Sequence, residues 1–166
     1  MRIILFIHFI SLCCFPSSAE TNDWQKADEG SFTLEIPKLL EKQIVHPIDS
    51  HCGIYSSPHM ELNFDEVGLM YAKKEAKARH NEFKKGYRKQ KGMPIGPQFF
   101  LKLGERYAKV VVSSDEQRVK EHYPGKYEVE FFCPNPPGSY LSIWIIYRDE
   151  QDTDTALRII KSVQTQ

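Results

Sequence analysis

The chain reads as an α+β sandwich: a sheet of about six or seven strands, many of them antiparallel, with a C-terminal helix packed on one face. Three observations predict it. Short segments alternate polar and apolar residues with period 2, as in Ser31-Phe32-Thr33-Leu34-Glu35-Ile36. Short turns rich in Pro, Gly, Asn and Ser separate them, which suits antiparallel neighbours rather than long parallel crossovers. Near the end, Ala156, Leu157, Ile160 and Val163 recur at three- and four-residue spacing, the mark of a helix with one buried face.

Glu20 to Gly30 is polar and is expected to fray. The first strand follows from Ser31 and stops at Pro37, and a helical turn fits Lys38 to Gln43. Cys52 to Ser56 makes a second strand with Ser57-Pro58 as its turn. His59 to Asp65 makes a third, with Met60, Leu62 and Phe64 on one face, and Gly68 to Ala72 continues the sheet. From Lys73 to about Lys85 the composition favours helix, yet its apolar side chains look too few for a buried face. Gly86, Gly92, Pro94, Gly96 and Pro97 then punctuate the chain, so residues 73–97 read as an exposed, mobile, partly helical excursion.

Order returns at Phe99 to Leu103 and at Tyr107 to Ser113, where Val110-Val111-Val112 is β-branched. Asp115 to Tyr123 is turn-like. Tyr127, Val129 and Phe131 alternate with Glu128 and Glu130 in a strand ending at Cys133, and Pro134 to Gly138 forces a turn. Tyr140 to Tyr147 is the most apolar run and reads as a central strand. Asp152 or Thr153 caps the final helix.

Residues 1–19 have the form of a signal peptide: a positive start at Arg2, an apolar stretch from Ile3, and Ser17-Ser18-Ala19 as a small-x-Ala cleavage site. The apolar stretch falls short of the ~20 residues that cross a bilayer. Export, to a bacterial periplasm or by a eukaryotic secretory route, is therefore expected, with cleavage near Ala19. A lipid anchor on Cys13 or Cys14 is the rival reading. Residues 31–166 then form one domain, large enough to bury a core. The mature chain keeps Cys52 and Cys133, and an oxidising compartment points to a disulfide between them. Such a bridge would contribute at most about 4–5 kcal/mol.

The chain carries 22 basic and 22 acidic residues, but not evenly. Lys73, Lys74, Lys77, Arg79, Lys84, Lys85, Arg88, Lys89 and Lys91 stand against only Glu75 and Glu82, a local net of +7 that leaves the rest acidic. This segment is the expected contact element, for an acidic protein partner or an anionic membrane surface. Phe83 and Tyr87 could stack on bases, but an exported protein rarely meets nucleic acid. Asp49-Ser50-His51-Cys52 is dense in reactive types, yet neighbours in a strand point to opposite faces and no Gly-x-Ser-x-Gly elbow is present. His51, His59 and Asp65 are weak metal candidates, lacking the tight ligand pairs of zinc sites. No cofactor motif is evident, and none is expected.

The segments Phe32-Thr33-Leu34-Glu35-Ile36-Pro37, Cys52-Gly53-Ile54-Tyr55 and Asn63-Phe64-Asp65, with the closing Ala156-Leu157-Arg158-Ile159-Ile160-Lys161-Ser162-Val163, resemble PsbP-like domains. That superfamily includes the extrinsic photosystem II subunit P and Ran-binding Mog proteins. The resemblance implies an α-β-α sandwich over most of the mature chain and a binding or assembly role without a shared catalytic site. It carries over no functional residue. The sequence thus points to an exported non-enzymatic binding or assembly protein; the alternative is a metal-dependent or hydrolytic enzyme built on the His51/His59/Asp65 region.

Overall fold

The most apolar run of the chain does form the central strand of the fold. In the computed structural model, residues 23–46, 50–67, 73–93, 96–113, 127–135 and 139–165 are described. The strands are β1 (Trp24–Asp28), β2 (Phe32–Pro37), β3 (Glu41–Lys42), β4 (His51–Ser56), β5 (Met60–Val67), β6 (Gln98–Leu103), β7 (Arg106–Ser113), β8 (Tyr127–Asn135), β9 (Ser139–Tyr147) and β10 (Gln164–Thr165). Helix α1 (Lys73–Gln90) lies between β5 and β6, and α2 (Thr153–Ser162) follows a 3-10 turn after β9. Seven strands make one antiparallel sheet in the order β3-β4-β5-β9-β8-β7-β6; β1, β2 and β10 make a small second sheet. The leader at residues 1–19, the strand continuation at 68–72, Asp49 and the turn at 115–123 lie outside the described residues.

Alternation decides which side of the large sheet each residue serves. Tyr55, Leu62, Ile145 and Val129 form one lateral row, and Phe64, Ile143, Phe131 and Val110 the next. These side chains point at the small sheet and α2. They share one core with Phe32, Leu34 and Ile36 of β2 and Ala156, Ile159 and Ile160 of α2. The stripe expected on the final helix is thus buried as its spacing requires, with Leu157 at the margin. Asp152 stands at the N-cap, though its carboxylate makes no capping hydrogen bond.

The opposite face carries α1, and here the sequence reading needs correction. The helix expected over Lys73 to about Lys85 runs on to Gln90 and, against expectation, has a buried side. Ala76 is fully buried and Phe83 nearly so, at 2% exposure. The Phe83 ring meets Phe100 at 5.7 Å and Phe132 at 6.0 Å, while His80 and Tyr87 pack on Tyr107. Gly86 permits the approach, since a Cβ there would fall 2.5 Å from the Phe100 ring. A second correction concerns the segment expected to fray: residues 24–28 pair with β2 along their whole length, and Trp24 lies under the Arg158 guanidinium at 3.8 Å.

Candidate functional site

Helix α1 turns its small and aromatic side to the sheet and its cations to solvent. Lys77, Lys85 and Arg88, with Asn81 between, follow one another at four, four and three residues, so they line one outward stripe that Lys91 extends. Lys89 is exposed beside it. Arg79 lies 3.8 Å from Glu82. Lys84 sits half-buried, its ammonium 5.9 Å from the centre of the Tyr107 ring. Of the nine basic residues, Lys73 and Lys74 fall in the first turn, and their side chains lie outside the described set. The outward stripe holds no large apolar residue.

A second polar assembly occupies the seam between the two sheets, and nothing in the sequence reading foresaw it. Glu29 sits in the turn between β1 and β2 with only 8% of its surface exposed. Its carboxylate accepts Lys42 Nζ at 2.7 Å and the Tyr55 hydroxyl, and lies 3.7 Å from His51 Nε2. His51 Nδ1 faces Glu66 at 3.5 Å, and Ser31 donates its hydroxyl to the same Glu66 oxygen. Burial, then Glu29, pushes the Tyr55 phenol far above its usual range, so it stays a donor. Ser31 and His51 approach one carboxylate rather than each other, so this pair does not form the direct Ser–His contact of a hydrolytic triad. The assembly ties the β1–β2 turn to β3, β4 and β5. The only hint in the sequence is a glutamate beside Gly30, whose φ of 81° is typical of a tight turn.

The expected metal candidates do not meet. His51 points to the small sheet, whereas Asp65, opposite Cys52, points to the other face, and His59 sits in the β4–β5 turn at the far end of the hairpin. Among the described residues no three His, Cys, Asp or Glu side chains gather as metal ligands. The expected disulfide is also overturned: Cys52 and Cys133 are both free thiols. They stand on β4 and β8, three strand intervals or about 14 Å apart, and on opposite faces. A disulfide needs Cα atoms within about 7 Å. Cys133 is wholly enclosed, and burial pushes its thiol up to about 12 despite the opposing charge of Arg106. Grooves flanking β10 are lined by residues such as Arg106, Gln164, Lys26 and Ser162, and neither His51, His59 nor Asp65 enters them.

The fold class is α+β, with a mainly antiparallel sheet and the C-terminal helix packed on it. No family model and no curated protein matches the chain. Among solved structures, a protein from Bacteroides thetaiotaomicron VPI-5482 is similar at a TM-score of 0.48 and 7% identity, over 87% of this chain. The chain spans 48% of the length of that protein.

Proposed function

We propose that the protein is an exported, non-enzymatic binding or assembly protein whose contact element is the outward face of α1, engaging an acidic surface on a protein partner. One observation carries the reading. The cations ride on a helix anchored through Ala76 and Phe83, so Lys77, Lys85, Arg88 and Lys89 form an ordered platform instead of a floating tail. Ordered charge loses less freedom on binding and steers an oppositely charged surface into register. A protein partner is favoured over a bilayer because the stripe offers no apolar side chain for insertion. The PsbP-like resemblance and the signal-peptide form of residues 1–19 agree with such a role.

Reversing Lys77, Lys85, Arg88 and Lys89 to Glu tests it. The unaltered protein should bind immobilised poly-glutamate with an affinity that falls as salt rises, and the reversed protein should bind at least about tenfold more weakly. Equal retention of the two would end the proposal. Stronger pelleting with phosphatidylglycerol vesicles than retention on poly-glutamate would replace the protein partner with a membrane.

A further inference from the structure

Among the described residues, the outer edge of β6 is met by a side chain rather than by a strand. Residues Gly104 and Glu105 connect β6 to β7, with Leu103 opposite Arg106 as the closing pair and Gly104 at a φ of 58°. A two-residue loop makes its flanking pair hydrogen-bonded, so the main-chain groups of Leu103, Leu101 and Phe99 point toward β7. The Val112 N–H donating to the Pro97 carbonyl at 2.7 Å continues that rhythm. The main-chain groups of Lys102, Phe100 and Gln98 therefore point outward, where β6 has no strand neighbour among the described residues.

Gln90, the last residue of α1, occupies the middle of this edge. Its Oε1 accepts the Phe100 N–H at 2.7 Å, and its Nε2 donates to the Phe100 carbonyl. One primary amide thus satisfies both outward groups of a single residue, as a neighbouring strand would. The placement follows from the helix packing. The Gly86 approach to Phe100 brings α1 down onto β6, and Gln90 lies four residues further along the same side.

We propose that the outer edge of β6 is a self-complementary pairing surface for a second copy of this chain, and that Gln90 holds it shut. Antiparallel pairing centred on Phe100 sets each Phe100 against its counterpart, Gln98 against Lys102, and Phe99 against Leu101. No like charges stand opposite one another, and the apolar pairs on both faces stabilise the register. Lys102 is the single charge along the edge, which by itself is a modest guard. With Gln90 in place, no run of two adjacent outward residues is free to pair.

Two measurements on the full chain test this. In the unaltered protein, hydrogen exchange should find the Phe100 amide protected and the Lys102 amide at least about tenfold faster. Sedimentation equilibrium at high salt should show a monomer, Gln90→Ala a concentration-dependent dimer, and Gln90→Ala with Lys102→Pro a monomer again, because proline removes an outward donor. A folded Gln90→Ala that stays monomeric over the same range would overturn the proposal, as would a double variant that still dimerises. Should Gln90→Ala not fold, the exchange result decides: a Phe100 amide as fast as that of Lys102 sinks the guard outright.

Discussion

The two faces of the large sheet are covered in different ways. One is closed by a second sheet and an amphipathic helix, and its aliphatic and aromatic side chains interlock from Tyr55 across to Val110 without a buried orphan. Among the described residues, the other is roofed by α1 alone, over β6 to β8, through rings set at angles to one another. Among the described residues, all three buried polar side-chain atoms that lack a hydrogen-bond partner are on this second face: Asp65 Oδ1, His80 Nδ1 and Tyr140 Oη. Unmet polar groups cost free energy, so the second face carries a penalty that the first does not show among the described residues.

Phe131→Ala should give the largest effect. Its ring is 1% exposed at the centre of the closed face, and its loss should cost about 3–5 kcal/mol in urea unfolding. Phe83→Ala removes the same side chain from α1, where the helix can settle into the gap, so about 3 kcal/mol is expected. The two should also differ in kind. Phe83→Ala should speed amide exchange in α1 while β9 stays protected; a uniform rise across both elements would erase the distinction between the faces.

Gly86→Ala sharpens the contrast with a smaller change. The added methyl drives into the Phe100 ring, costs about 1–3 kcal/mol, and lifts the C-terminal half of α1. A melting temperature equal to that of the unaltered protein would show that the helix packs less closely than the Phe100 contact implies. The mildest effect concerns pH. Burial, then Lys84, holds the His80 imidazole below its ordinary 6.5. The unfolded chain therefore takes the proton first, so stability should fall as pH drops below about 6.5 and level off beneath the folded-state value. Urea midpoints taken from about pH 7.5 to about pH 5 should lose part of this slope in His80→Phe, and an unchanged slope would remove His80 as its source.

The closed face was legible because it obeys simple periods. Met60, Leu62 and Phe64 alternate, Ala156 and Ile160 step by four, and the run ending at Tyr147 could only be central. What escaped in α1 is its packing, because its inward side is Ala76, His80, Phe83, Tyr87 and Gln90. That stripe has the right steps of four, three, four and three, but it is built from small, aromatic and polar residues that do not register as apolar. Strand β1 was hidden by its three exposed residues, Gln25, Lys26 and Asp28, around a single buried Ala27. The cysteine pairing failed for a geometric reason: compartment and count suggest a partner, but only strand order and side-chain parity decide whether two thiols can touch. The Glu29 assembly was invisible because its members come from four separate segments.

Strand order also governs when the molecule can form. The strand at the centre of the large sheet, β9, is the last of its seven to be synthesised. Until residues 139–147 emerge, the β3-β4-β5 group and the β6-β7-β8 group are two fragments, each with a bare apolar side and an unpaired border at β5 or β8. They can meet only when β9 enters between them and hydrogen-bonds to both. The large sheet therefore cannot close until β9 is made, and its assembly becomes one late, long-range event, a topology that folds slowly.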